Sequence, residues 1–336
     1  MHRSFGVRDL SEGAIMIVIT MMIIICSVYI PGFMMLGLLA ASVPAACLAM
    51  RRNIITAGIA VIACTLLSIF VTHSIIGAVE IALLMILPGI AAGICFRKHT
   101  DFFLALMLVC ACVIAGMMFS IFILNIMTEG NGISGIIEES SAMVEQAIKN
   151  VISNTYVGIQ NISSEKLSES VGEIVTQIKE MILFYFPCGI FIVAVVIAYL
   201  QLMLCAFIIR RTHSGFPTIV PFNRMKAPKS MCYITAGLFL LSLFMSQDNV
   251  IDATLMNLNV ILYFIIGICG FSLVDNQIAR KIPGGIFRVM IYLGAIMLGG
   301  ALIGLLLNGL ILLGMMDSML DFRKLGKAGE DYAGKK

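Results

Sequence analysis

Nine long apolar runs, separated by short polar or basic stretches, leave this chain few folds to choose from. They cover residues 11–30, 32–50, 54–72, 75–96, 102–126, 181–209, 231–247, 253–275 and 286–316. Roughly 17–25 mostly apolar residues suffice to cross the hydrocarbon layer of a bilayer, and every run is long enough. Lipid offers backbone N–H and C=O groups no partners, so helices are expected; the runs are too long for the strands of a membrane barrel. With 60% of 336 residues apolar and 12% charged, too few polar side chains remain to cover a soluble domain. The expected fold class is therefore all-α, a polytopic transmembrane helix bundle of 8–9 spans with an extramembrane helical insertion. The count depends on the last run, which carries Gly299–Gly300 at its middle and reads either as one long tilted helix or as a broken hairpin.

Basic residues cluster in alternate loops. With the N-terminus inside, the cytoplasmic loops hold Arg51–Arg52, Arg97–Lys98, the group Arg210, Arg211, Arg224, Lys226 and Lys229, and then Arg280, Lys281 and Arg288. The other loops have no Lys or Arg except Lys149, Lys166 and Lys179 in the long central one. This partition predicts a bacterial cytoplasmic membrane protein with a cytoplasmic N-terminus. The first run, although preceded by Arg3 and Arg8, leads into another apolar run and reads as a retained span. The basic tail from Arg323 to Lys336 fits the pattern only if the last run is a hairpin.

Four segments follow: a five-span membrane unit at 1–126, an extracytoplasmic insertion at 127–180, a second membrane unit at 181–316 and a charged tail at 317–336. The insertion has eight Glu, three Lys and no Arg, Asp or Cys. Its apolar residues recur at helical spacing, first Ile137, Val144, Ile148 and Val151, then Leu167, Val171, Ile174 and Ile178. Two amphipathic helices are expected, either packed as an external cap or lying along the membrane surface. Turn formers from Gly158 to Ser164 separate them.

Catalytic and metal-binding patterns are missing. There is no Walker A loop, H-E-x-x-H or G-x-S-x-G, and His2, His73, His99 and His213 are mutually isolated. Nearly all ten cysteines lie inside apolar runs, as small filler; Cys110 and Cys112 alone are too few for a metal site. No enzymatic activity, cofactor or metal is expected, and basic pairs scattered between apolar runs do not suit nucleic acid.

Small residues form the clearest pattern. Gly37, Ala41, Ala45 and Ala49 recur at every fourth position of the second run, and Gly89 with Gly93 forms GxxxG in the fourth. Such stripes let helix backbones approach closely, within one chain or against a partner. Ionisable groups at bilayer depth are costly and mark functional candidates. Glu80, about five residues into the fourth run, suits a cationic or amine-bearing ligand. Asn257 and Asn259 are further candidate ligand contacts, with interhelical hydrogen bonding as their ordinary role. Gln201 and Asp275 lie near helix ends and are expected to reach water.

The stretches RDLSEGAIMIVITMMIIICSVYIPGF, LLAASVPAACLAMRRNIITAGIAVIA, ILPGIAAGICFRKH and LILLGMMDSMLDFRKL together resemble the YybS-like family of uncharacterised multi-pass membrane proteins of Gram-positive bacteria. The most specific part is the closing pattern of Gly314, Asp317, Asp321, Phe322 and Arg323. The N-terminal pattern is in turn similar to the substrate-binding components of energy-coupling-factor transporters, which bind a vitamin or metal and dock on a membrane coupling protein through small-residue surfaces. That resemblance implies a transporter-type, small-molecule-binding component, with the Gly37–Ala49 stripe facing a coupling protein or a second copy. The additional C-terminal spans and the insertion depart from it. The alternative is a non-transporting membrane scaffold that recruits cell-envelope or cytoplasmic partners.

Overall fold

A computed structural model describes residues 7–52, 54–128, 130, 132–155, 164–212, 222–242, 244, 250–282, 287–288, 290–292, 294 and 303–323. Among them every regular element is a helix, and seven helical segments are long and apolar enough to span a membrane. The chain divides into two compact units, Met1–Thr218 and Ile219–Lys336.

The first unit begins with α1 (Val7–Tyr29), which turns back through Pro31 and Gly32, the glycine at φ +80. The returning span is broken into α2 (Met34–Ala40) and α3 (Ser42–Arg51). Pro44 causes the break: it lacks the N–H that Ala40 would need four residues on, and its ring crowds that carbonyl. α4 is Ile54–Thr72. The next span joins α5 (Ile75–Ile81), a π-helical segment at Ala82–Ile86, and α6 (Leu87–Arg97). Ser74 caps it by accepting from Gly77 N at 3.3 Å. α7 (Phe102–Met127), α8 (Gly132–Thr155) and α9 (Ser164–Thr212) complete the unit.

Polar contacts at opposite ends establish the up-and-down order. The start of α1 meets the end of α3 through Glu12 and Arg52, whose Nε and Nη2 both donate to the carboxylate, at 2.9 and 2.5 Å. Arg97, ending α6, donates to Arg52 O at 2.9 Å. At the far end, Tyr29 OH donates to Val71 O at 3.0 Å, joining the ends of α1 and α4.

Close backbone approach holds the interior together. α3 and α6 pack along their lengths. A Cβ added at Gly89 would run into the carbonyl of Ser42, and one at Gly93 into that of Ala46 and, at 2.8 Å, the methyl of Ala49. Gly37 lies against Ser27 of α1, leaving no room for a side chain. Ala41, Ala45 and Ala49 are buried with Ile24, Ala57, Cys64 and Ile86. The small-residue stripe is thus covered by the chain's own helices.

α9 differs from the segments expected of this region. Its 49 residues run without interruption from the polar insertion through the apolar stretch. At 1.5 Å per residue that is about 74 Å, more than twice the roughly 30 Å hydrocarbon thickness. No Gly or Pro separates Glu173 from Phe186, so nothing stops the helix at the polar boundary. α8 reverses directly from α7, with Gly130 N donating to Asn125 O at 2.8 Å and a Cβ at Gly132 meeting the Asn125 backbone at 2.8 Å. α8 then packs on α7 and α9, burying Ile137. Because α9 also packs on α2, α3, α6 and α7, the sixth span belongs with the first five, and the units divide after Thr218 rather than before residue 181.

The second unit has a 3₁₀ turn at Phe222–Arg224, then α10 (Lys229–Ser242), α11 (Val250–Lys281) and α12 (Ile303–Leu320). α11 and α12 meet at Gly270 and Gly314, where an added Cβ would strike the carbonyls of Leu310 and Ile266 respectively. The Gly299–Gly300 break, the turn formers from Gly158 to Ser163, His2, His213 and the tail beyond Arg323 lie outside the described residues.

Gly89→Val and Gly93→Val should each lower stability by about 1–3 kcal/mol through overpacking. Gly189→Ala, with nothing within 4 Å of the added methyl, should not. Thermal unfolding in detergent measures both; equal melting temperatures for all the variants would show that the α3–α6 contact does not support the fold.

Candidate functional site

The first site is built on two prolines. Pro88 lacks an N–H, so the carbonyl of Leu84, four residues earlier, has no ordinary helical donor. The helix widens there into the π segment, where Leu87 N reaches back to Ala82 O. Gln201 of α9, 1% exposed, fills the gap: its Nε2 donates to Leu84 O at 3.2 Å and to Leu38 O at 3.0 Å, beside the break made by Pro44. Gln201 does not reach water, as its place near a helix end suggests; it spends its amide on two carbonyls in the interior. Its Oε1 is buried with no hydrogen-bond partner among the described residues.

Glu80 lies one helical turn before Leu84 and is half-buried. Ser120 of α7 has its Oγ 2.6 Å from Glu80 Oε1 and 3.1 Å from Gly116 O. The hydroxyl has one proton, so it donates to the carboxylate or to the carbonyl, not to both. α7 passes close because Gly116 sits against Leu83 and Leu84, where an added Cβ would meet Leu84 Cδ2 at 2.7 Å. Glu80 is about 7–8 Å from the start of α5, and Ser120 about 10 Å from the end of α7, at 1.5 Å per residue. The two antiparallel helices thus bring both groups to similar depth from one end. A carboxylate held by one hydroxyl keeps acceptor capacity for a donor or cation.

Asn257 and Asn259 belong to the other unit. Both are buried on α11, and Asn257 Nδ2 donates to Ala253 O at 2.9 Å. Two residues apart on a helix, they face nearly opposite sides, so they do not converge on one ligand.

A second polar centre closes the end of unit 2 that carries the basic residues. Arg323, 7% exposed, directs all five N–H groups to acceptors. Nε and Nη2 donate to Asp317 Oδ2 at 2.9 and 2.6 Å, Nη1 to Asn223 O and Ser272 Oγ at 2.8 and 2.9 Å, and Nη2 again to Met225 O at 2.7 Å. Arg323 is therefore a buried clasp that fixes the 222–225 turn, not part of a solvated tail. Its neighbours continue the pattern. Asp321 ends α12 at φ 50, a left-handed conformation that Asp tolerates, and accepts from Lys226 Nζ at 2.6 Å. Asp275, also expected in water, is 7% exposed and accepts from Arg288 Nη1 at 2.8 Å and Tyr292 OH at 2.6 Å.

Among the described residues, no group of three or more His, Cys, Asp or Glu is placed to hold a metal ion, and the ten cysteines are free thiols. The role of Gln201 is not legible in its own helix, whose pattern places it near an end and in water; the signal is Pro88, which deprives Leu84 O of its donor. The Arg323 clasp was visible only as a motif.

The fold and these two buried polar centres define a polytopic α-helical membrane protein, in contact with lipid through its apolar helices. The chain belongs to the family described as predicted membrane protein DUF2232, whose model matches residues 18–318. It is 25% identical over 285 residues to the uncharacterised protein YybS of Bacillus subtilis strain 168, the match covering 82% of this chain and 85% of that protein. No solved structure gives a significant match.

Asp317→Ala should cost about 3–5 kcal/mol, because it leaves the Arg323 guanidinium buried without its counter-charge. Replacing both by apolar residues, Asp317→Leu with Arg323→Met, should cost less than the sum of the two single replacements, because neither charge is then left without its partner. Chemical denaturation of the variants in detergent measures this; strictly additive losses would contradict a buried, mutually dependent pair.

Proposed function

We propose that this protein is a transporter-type membrane component that binds a small cationic or amine-bearing molecule at Glu80. The observation that carries the reading is the Glu80–Ser120 contact, set one turn before a π segment whose freed carbonyl is held by the buried Gln201. An acid inside a span costs roughly 2.5–3.5 kcal/mol on insertion scales, and such residues mark ligand or ion paths. π segments in turn concentrate at functional positions. The resemblance of the N-terminal pattern to substrate-binding components of energy-coupling-factor transporters points the same way. On this reading the chain acts without enzymatic chemistry, sits in a bacterial cytoplasmic membrane with its N-terminus in the cytoplasm, and engages a membrane coupling protein. The self-contained packing of the Gly37–Ala49 stripe leaves a surface other than that stripe for the coupling protein.

A second reading, a non-transporting scaffold, is favoured by a different observation. α9 continues beyond its apolar stretch as a polar helix, and α8 packs on it with Lys179 and Glu138 3.5 Å apart. A paired helical projection of this kind offers a surface to an extramembrane protein. Specific protein crosslinks from the exposed Met143, with no ligand found for Glu80, would replace the first reading by this one.

The purified protein should be stabilised against heat by at least one compound in a library of amines, cationic vitamins, nucleosides and metal ions. Glu80→Gln should weaken that ligand about tenfold or more, and Ser120→Ala by less. A library without effect on the wild type, or an equal effect on Glu80→Gln, would remove the basis of the proposal.

A further inference from the structure

We propose that the basic end of unit 2 binds the phosphate headgroup of an anionic lipid, with Arg224 and Arg280 as its principal contacts. The argument starts from the acids. Three lie at this end among the described residues, and each is engaged by a neighbouring cation: Asp275 by Arg288, Asp317 by Arg323, Asp321 by Lys226. Arg224, Lys229, Arg280 and Lys281 remain exposed, with no acidic partner among the described residues. The end therefore has its negative charge neutralised inside and an excess of positive charge outside.

The placement of these cations is fixed by the fold. Asn276 Nδ2 donates to Asn223 O at 3.0 Å, which sets Arg224 beside the last turns of α11. Arg280 is four residues beyond Asn276, one turn further along the same face. The Arg224 backbone is already immobilised, since Arg323 holds the carbonyls on both sides of it, at Asn223 and Met225, and Ser272 Oγ lies 2.5 Å from Phe222 O. A preorganised donor loses less freedom on binding. Depth selects the ligand. Arg280 and Lys281 end a helix whose preceding residues are apolar enough to span, so they stand where the hydrocarbon gives way to headgroups. A guanidinium at that depth is within reach of lipid phosphate, and juxtamembrane basic groups attract anionic lipid. An acidic protein would have to approach to the same depth.

The test uses the full-length protein in detergent, titrated with short-chain phosphatidylglycerol, with phosphatidylcholine and with inorganic phosphate, and read by thermal stability and by lipid retained in native mass spectrometry. Phosphatidylglycerol should stabilise the wild type and stay bound, whereas phosphatidylcholine and inorganic phosphate should have little effect. The double variant Arg224→Gln/Arg280→Gln should need about tenfold more phosphatidylglycerol for the same shift. Arg210→Gln/Arg211→Gln, which removes the same charge from unit 1, should behave as the wild type. Arg224→Lys/Arg280→Lys keeps the charge and should retain most of the response, which distinguishes a lost site from a lost fold. Equal responses to the two lipids, an equal response to inorganic phosphate, or the same loss in the unit 1 variant would overturn the proposal. So would capture of an acidic protein in place of lipid by a photocrosslinker at Arg224.

Discussion

Inside a bilayer a carbonyl that loses its N–H partner has no water to replace it, and the cost of leaving it unpaired is several kcal/mol. The interior of this protein is organised around carbonyls in that position. In unit 1, Pro88 withdraws the helical donor of Leu84 O, and one glutamine amide from a distant helix serves that carbonyl together with Leu38 O, beside the break at Pro44. In unit 2, the turn between Phe222 and Ala227 has a backbone bond of its own, Met225 N to Phe222 O at 3.0 Å. A guanidinium, an asparagine amide and two serine hydroxyls serve its carbonyls, Ser318 Oγ donating to Ala227 O at 2.7 Å. Gln201 and Arg323 are thus the same solution at two places.

Glycine provides the complementary device. Supplying donors across helices requires backbones to come near one another, and in lipid apolar burial does not drive that approach. Gly89 and Gly93 remove the side chains that would separate α6 from α3, and Gly270 and Gly314 do the same for α11 and α12. In both units the glycines lie directly over carbonyl oxygens of the facing helix. Once the backbones are that close, the polar side chains at the ends have defined partners. The Glu12–Arg52 pair joins α1 to the end of α3 in unit 1, and in unit 2 Arg323, paired with Asp317 of its own segment, ties the end of α12 to Ser272 of α11 and to the 222–225 turn.

Much of this was readable from residue order, and the residues show why the rest was not. The spans and the helical character of the insertion follow from run length and period, which are local properties. Glu80 stood out because an acid in an apolar run is conspicuous anywhere. Gln201 and Asp275 were expected in water because each lies near the end of its run, and distance to the end was the only available measure of depth. The packing of α9 on α2, α3 and α6 buried the first, and Arg288 with Tyr292 enclosed the second. Arg323 was grouped with the basic tail for the same reason, since charge counts do not distinguish a topogenic arginine from one whose five donors are all occupied. Asn257 and Asn259 were grouped as ligand contacts by proximity in sequence, although two positions on a helix point to opposite sides.

The amino-acid sequence by itself determined that this is a multi-pass helical membrane protein of its family, because hydrophobic length and the need to satisfy the backbone within each segment leave helices as the answer. It also determined where helices would be weak, at Pro44 and Pro88, and where small residues let them touch, at Gly89 and Gly93. Tertiary structure alone decided that Gln201 would serve the carbonyl that Pro88 leaves without a donor, that Gly270 and Gly314 would meet, and that α9 belongs to the first unit. It also turned the closing Asp–Arg motif into a clasp on a turn almost a hundred residues earlier. The physical reason is that a hydrogen bond or ion pair between distant segments depends on how helices cross. Crossing is set by contacts on both helices at once, which no single segment encodes.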